Sequence, residues 1–407
     1  MTAVAELELP TFPYMDPSLR GPRFHEAMED LSRRSWLARV EGVGYLVLDR
    51  DAVAHILRTP SATFPGRVML EAQGVTSGPL YERMKGNLMD LHGEEHRRLR
   101  KLVQPAFTPQ AADRQRPNIR RRLTQLFEPV AAAGRCEFVE AIAKRYPTLV
   151  VADLMGVPSE DAPRLAEWAN LIQAQFDPIR IATELDVLNR AATEFPEYAG
   201  ALLASRREEP REDDLLSELI AVEVDGDRLT DAEIVALIAA VLVGGVDTTQ
   251  SELAHGLRLF AEHPDQWRML ADDPSLVPAA VEEVLRFEPI APITARIALE
   301  DIQYRDVTFP KGTLVAGAAV TANRDPGEYE EPDRFDITAE RGRVKPLTFG
   351  AGPHFCLGAN LARAELEEAF AYLAPRMPDL ELDGEPEYDT PLGVYGLLSL
   401  PLRWRAA

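Results

Sequence analysis

The run IVALIAAVLVGG at residues 234–245 limits the possible folds of this chain more than any other feature. Thr230 and Glu233 stand ahead of it at the spacing of a capping box, in which hydroxyl and carboxylate satisfy open backbone amides, so a helix starts here. The run is apolar on every side, which implies burial on every side. Its 12 residues are too few for a lone membrane span, which needs about 20. If the helix continues through SELAHGLRLFAEH, it is about 45 Å long at ~1.5 Å per residue and crosses the core of the molecule.

Composition sets the outer bounds. With 407 residues, 46% hydrophobic and 27% charged, the chain can bury a large core. No duplicated segment or low-complexity linker divides it, so residues 1–407 are expected as a single domain, acting as a monomer. Sixty-six acidic against 44 basic residues give a formal charge of -22, which repels phosphate and argues against a nucleic-acid partner. The two cysteines, Cys136 and Cys356, lie in unrelated settings, so no disulfide framework is expected. The opening MTAVAELELPTFPYMDP has neither a basic n-region nor an apolar h-region, and reads as a flexible arm of about 15 residues. A cytoplasmic protein with no membrane partner is expected.

The early region, with extended signals such as YLVLD, reads as a small sheet set against helices. Periodicity predicts helices over 94–104 and 114–132. It predicts three more within 159–207, interrupted near Asp177-Pro178 and Phe195-Pro196 because proline disfavours continuation of a preceding helix. After residue 276 come a helix carrying VEEVLRF, short strands around 294–317, a charged meander from 323 to 341, a further helix, and a closing hairpin. The fold class is predominantly α with small β-sheets.

Cys356 sits in TFGAGPHFCLG, among Gly350, Gly352 and Gly358, directly before the helical run ANLARAELEEAFAYL. Glycines let the backbone turn tightly and approach a flat ligand, and the helix start offers unpaired N–H groups to the sulfur. Taken alone, the residue also reads as a core cysteine, or as a nucleophile with His354 two positions away. Zinc is disfavoured, since no second cysteine or suitably spaced histidine accompanies it.

The segment from Phe349 to Gly358, FGAGPHFCLG, closely resembles the haem-binding loop of the cytochromes P450, particularly the soluble bacterial ones. The resemblance runs through nearly the whole chain in order. It implies a cytochrome P450 fold with a long central helix over haem b (iron protoporphyrin IX), Cys356 as the iron ligand, Phe349 beside the sulfur, Gly358 in the loop and His354 at a propionate. DLHGEEHRRLR is similar to the family's segment along one haem edge. His96 and Arg100, at i,i+4, are then implied to face a propionate, although alone such a pair reads as a solvated helix face. Arg296 in TARIA is similar to a further propionate-binding arginine. Glu283 and Arg286 form an ExxR pair, and in PDRF the resemblance implies that Arg334 joins it, a structural triad. In GGVDTT, Asp247 and Thr248 look like the acid–alcohol pair beside the oxygen site, with Gly244 where many relatives carry Ala. Without the family pattern these read as packing glycines beside locally bonded hydroxyls.

What the resemblance implies chemically is dioxygen activation with two electrons and insertion of one oxygen atom into a small-molecule substrate, most commonly by hydroxylation. Alternatives are a haem-binding sensor or carrier, or a haem-thiolate enzyme that uses peroxide or isomerises. No flavin or NAD(P)H domain fits in the chain, so ferredoxin and ferredoxin reductase are the expected partners, docking on a basic surface of Arg97, Arg98, Lys101 and Arg363. The fold resemblance also places the substrate walls at residues 64–84 and 163–195, Val243, Gly244, Ile290, Ala291, Ile293, Val394 and Tyr395. These are mostly apolar. Arg180 and Arg190 are the candidates to meet a substrate carboxylate.

Overall fold

A computed structural model of the protein describes residues 1–41, 43–211, 214–342 and 344–406. The apolar run forms the helix Asp231–Gly245, opened by the expected capping box: Thr230 Oγ1 accepts from Glu233 N–H, and Glu233 Oε2 accepts from Thr230 N–H at 2.7 Å. The helix then breaks at Val246, with φ -95° and ψ -73°, and resumes as Asp247–Glu262. Its first half packs against the helices Tyr146–Met155, Ala162–Gln173 and Pro178–Glu208, and its second against Val277–Phe287 and Ala359–Leu373. Phe260 meets the rings of Trp267, Phe370 and Phe335 at 5.0, 5.3 and 5.6 Å, a contact set whose truncation to alanine would cost about 3–5 kcal/mol. The stretch from 231 to 262 is apolar and long enough to cross a membrane, but its neighbours bury it in the protein core.

Beside this helical body lies a six-stranded sheet in the order Thr11–Phe12, Leu37–Val40, Gly44–Val47, Leu314–Ala318, Ile293–Ala298, Ala62–Thr63. Both faces are covered. Alternate residues go to different clusters, Leu46 and Ala316 to one and Val47 and Val315 to the other, as the two-residue period of a strand requires. Gly317 lets the helix Arg50–Arg58 press on the sheet, since a Cβ there would lie 2.9 Å from Val53 Cγ1. Arg296 projects from Ile293–Ala298, opposite Val315.

Two expectations fail. The N-terminal segment is no free arm: Thr2 and Ala3 pair in parallel with Val307 and Thr308, Thr11 and Phe12 pair with Arg39 and Val40, and Val4 and Phe12 are buried. The buried side chains of Val4 and Phe12 dock it. The break near Phe195-Pro196 is also absent, for Pro178–Glu208 runs through Pro196. Buried Leu188, Phe195, Ala199 and Leu203 form one stripe, with Phe195 edge-on to Trp168 at 5.5 Å, and this burial offsets the one hydrogen bond that proline cannot donate. The other break occurs as expected, where Asp177 caps the helix by accepting from Ile179 and Arg180 N–H.

Candidate active site

The cysteine loop is held from below. Asn323 Oδ1 accepts from Leu347 N–H at 2.7 Å and its Nδ2 donates to Thr348 Oγ1 at 2.9 Å, while Thr348 Oγ1 donates to Leu285 O. Gly350 and Gly352 adopt φ of +71° and +70°, and a Cβ on Gly352 would meet Arg58 Cα and Leu57 O at 2.8 Å. Only glycine fits there. Cys356 N–H donates to Phe349 O at 2.9 Å, and the exposed side chain stands at the start of Ala359–Leu373. Although the residue is open to solvent on one side, the protein packed around the sulfur pushes the thiol pKa up, against the pull of the Gly358 and Ala359 N–H groups and the Arg100 and Arg363 charges. A cation at the sulfur would complete the ionisation those donors favour. The Arg363 guanidinium lies 4.6 Å over the Phe349 ring.

A basic corner adjoins the loop. His96, on the helix Gly93–Val103, and His354 lie against each other with ring centroids 4.4 Å apart and planes tilted by 39°, and buried His96 Nε2 has no partner among the described residues. Arg100 donates to Phe355 O at 2.6 Å. Arg296 is buried, donates only to the carbonyl of its neighbour Ala295, and is pushed down to about 10 by burial alone. Burial first, then the Arg296, His96 and Arg100 charges, pulls His354 down to about 3. Among the described residues no carboxylate pairs with any of these four. A dianionic cofactor edge is what such a corner lacks, so the donor set fits the two carboxylates of haem b.

The two glycines ahead of the helix break differ in their surroundings. A Cβ on Gly244 would meet nothing within 4 Å, whereas one on Gly245 would meet Val151 Cγ2 at 2.9 Å. One glycine is for space and the other for packing. Thr248 Oγ1 donates to Gly244 O at 2.5 Å, so the hydroxyl's lone pairs stay free to accept, while Thr249 is buried. Desolvation raises the Asp247 carboxyl to about 6, against a downward pull from Arg180.

Glu283 and Arg286 form a buried two-pronged ion pair, both contacts 2.8 Å. The expected third member is wrong. The Arg334 side chain is 60% exposed and turns to Glu331 and Asp336, while Arg341 reaches Glu283 Oε1 at 2.7 Å. Arg334 contributes its carbonyl instead, which accepts from both Arg286 and Arg341 at 3.0 Å and thereby points its side chain away. Nothing around Arg341 in the sequence distinguished it from other charged meander residues.

Of the wall residues, Val243 and Ile290 are buried, and Ala291, Ile293 and Val394 are half-buried. Tyr395 departs from expectation. Its N–H donates to Ile290 O at 2.8 Å, joining two wall segments, but its ring is buried against His255 and Phe24 at 5.1 and 5.6 Å. The basic surface is also mostly neutralised: Arg98 bonds Asp227 and Glu233, Lys101 bonds Asp225, and Arg363 bonds Glu282. Arg97 borders a cleft of about 500 Å³ with Arg100 and Lys101. Sequence reasoning missed a second cleft, of about 510 Å³, on the other flank of the loop, lined by Arg50, Arg58 and Lys345 together with Asp51 and Glu328. Arg180 is paired with Glu184 at 2.9 Å and Arg190 is exposed.

A family profile described as Cytochrome P450 matches residues 41–373. Luteothin monooxygenase of Streptomyces thioluteus is 37% identical over 98% of this chain and 97% of its own length. Cytochrome P450 monooxygenase PikC of Streptomyces venezuelae is 33% identical over 89% of this chain and 90% of its own. Among solved structures, cytochrome P450 CYP109Q5 from Chondromyces apiculatus shares 30% identity, with a TM-score of 0.87 over 98% of this chain and 100% of its own. Likeness in sequence and in backbone thus extends over the same body that carries the cysteine loop and the basic corner, and the chain belongs to the cytochrome P450 family.

Proposed function

We propose that Cys356 ligates the haem iron, that His96, Arg100, Arg296 and His354 hold the haem carboxylates, and that Asp247 and Thr248 manage protons where dioxygen reacts. The chain is a haem-thiolate monooxygenase of the hydroxylating kind, with haem b as cofactor. When bound, haem supplies the electron chemistry of oxygen activation, to which a thiolate lends electron density. The protein contributes placement and protons. Gly358 and Ala359 N–H groups moderate the sulfur charge, and Phe349 and Arg363 shield it. Asp247, with a carboxyl near 6, exchanges protons close to neutrality, and the Thr248 lone pairs accept from a water lodged beside Gly244. The apolar walls, Val243, Ile290, Ala291, Ile293 and Val394, suit a small organic substrate with a largely hydrocarbon body.

Electrons come from a separate donor, which we take to be a ferredoxin served by its reductase, since two cysteines cannot hold an iron–sulfur cluster in this chain. Arg97 on one flank of the loop, and Arg50, Arg58 and Lys345 on the other, interspersed with Asp51 and Glu328, are the cations such a partner would meet. The protein acts in this reading as a single-domain cytoplasmic monomer. A sensor or a peroxide-using enzyme would have no need of the Asp247–Thr248 pair.

The observation that carries the reading is the acid-free basic corner beside a cysteine at a helix start. The reduced holoenzyme under carbon monoxide should show the red-shifted Soret band of a thiolate adduct. Cys356→Ser should lose that band while Cys136→Ser keeps it, and a band retained in Cys356→Ser overturns the assignment.

A further inference from the structure

Arg83 is a cation that no carboxylate neutralises among the described residues. It lies on the short helix Pro79–Lys85, which packs on Pro178–Glu208 and is tied to it by Leu80 N–H donating to Asn189 Oδ1 at 3.0 Å. The guanidinium reaches the turn between the helices Ala162–Gln173 and Pro178–Glu208, where Nη2 donates to Gln175 Oε1. Phe176, next in that turn, stands edge-on to Phe64 at 5.6 Å and against Gly393, the neighbour of wall residue Val394. Arg83 therefore belongs to the enclosure that the wall residues define. Leu80, Met84, Ala174 and Ile181 make its surroundings apolar.

Its Nε is buried without an acceptor, and among the described residues no carboxylate forms a salt bridge with it. The acids nearby in sequence or space are engaged elsewhere: Glu82 with Lys85, Glu71 with Tyr81, Glu184 with Arg180. Burial is the whole cause of a pKa drawn down to about 10, a condition Arg83 shares with Arg296. For Arg296 the cofactor explains it, since a haem carboxylate completes the pair. No cofactor group is left for Arg83. The residue is half-buried, with Nε sealed from solvent and Nη2 bonded to the Gln175 amide oxygen and weakly to Met84 Sδ at 3.9 Å. Neutral partners do not compensate a guanidinium for lost hydration, and a planar fork with free donors matches a two-oxygen anion.

We propose that Arg83 recognises a carboxylate on the substrate, with Gln175 fixing the orientation of the guanidinium. The inference rests on the reading of this enclosure as the substrate pocket of a haem-thiolate enzyme. It assigns the substrate class as amphipathic acids, anchored at Arg83 by the charged end with the apolar body directed along Val243 and Gly244. Arg180, neutralised by Glu184, and exposed Arg190 do not serve this role.

The test uses ferric holoenzyme titrated with two matched pairs, dodecanoate and methyl dodecanoate, and 4-cyclohexylbenzoate and its methyl ester, followed by the spin-state shift of the Soret band. At least one acid should bind tenfold or more tightly than its ester. Arg83→Gln should erase that preference by weakening the acid alone, Arg83→Lys should keep part of it, and Arg190→Gln should keep all of it. Equal affinities within both pairs, no saturable shift with either acid, or a preference that survives Arg83→Gln overturns the proposal. Ligand-free Arg83→Gln should melt at the same temperature as the parent or higher, because an uncompensated charge is gone, and a lower melting point would mark a structural arginine and overturn it too. Absence of the thiolate carbon monoxide band in the parent would instead sink the haem-thiolate reading, so the two failures are distinguishable.

Discussion

Arg286 and Arg296 are both buried arginines, and they differ in completeness. Arg286 uses all of its donors on Glu283, Asn323 O, Pro332 O and Arg334 O. Arg296 donates to its own neighbouring carbonyl and otherwise faces no acceptor. A saturated buried charge holds the fold together, since every cost of dehydration is met inside the chain. An unsaturated one is waiting for something the chain does not contain. The contrast separates scaffold from site without appeal to any motif, and it picks out Arg83 along with the haem corner.

The most severe way to break the contrast is Glu283→Ala, which strips the carboxylate from both Arg286 and Arg341. It should cost about 3–5 kcal/mol, visible as a collapse in folded yield and melting temperature. Arg341→Ala should cost less, and exposed Arg334→Ala should stay within about 0.5 kcal/mol. Equal losses from these two would return Arg334 to the triad. On the unsaturated side, Arg296→Gln should raise the rate of haem dissociation by about tenfold or more, if the lost contact is a charged hydrogen bond of at least ~1.4 kcal/mol, without destabilising the apoprotein. A lower apoprotein melting point would place Arg296 with the scaffold.

A smaller effect is expected at the helix break. Thr248→Ala should lower product per NADH consumed severalfold, with the difference appearing as hydrogen peroxide, while carbon monoxide binding is kept. Thr249→Ala, altering a buried packing residue, should lower stability by about 1 kcal/mol and leave coupling alone. Full coupling in Thr248→Ala would remove the hydroxyl from the proton path. The smallest effect is in pH. The Asp247 carboxyl is raised from 3.8 to about 6, so between those values the folded state binds more proton than the unfolded state. Its contribution to stability therefore falls as pH rises from about 4 to 6 and is present in full only below that window. Asp247→Asn should cancel that one component of the stability profile, and an unchanged difference between parent and variant across pH 4–6 would show the carboxyl to be unperturbed.

How much the sequence disclosed follows from how local each feature is. The capping box, the all-apolar helix and the turns at Gly350 and Gly352 are decided within a few residues and are found as read, whereas Gly358 keeps an ordinary φ of -81°. Pro178 begins a helix as expected because Asp177 caps it within two residues, but Pro196 sits inside the same helix because a stripe buried against other helices overrules local preference. The docking of Val4 and Phe12 depends on strands far along the chain. Arg341 replaces Arg334 because a backbone carbonyl is already committed, a fact of three dimensions that side-chain identity does not report. Tyr395 was placed one residue too generously: its backbone borders the wall, but its ring belongs to the core.

The six-stranded sheet joins the beginning of the chain to its last quarter, with Tyr45 opposite Val315 and Arg296 on the next strand. On the ribosome, then, Gly44–Val47 waits with one edge unpaired until residue 318 has emerged, and the cysteine loop follows later still. Pairings so distant in sequence make for slow closure, and an open edge invites aggregation while it lasts. Haem capture must therefore be a late event, after release of nearly all the chain. Haem supply during expression is accordingly expected to govern how much nascent protein matures rather than how fast its helices form.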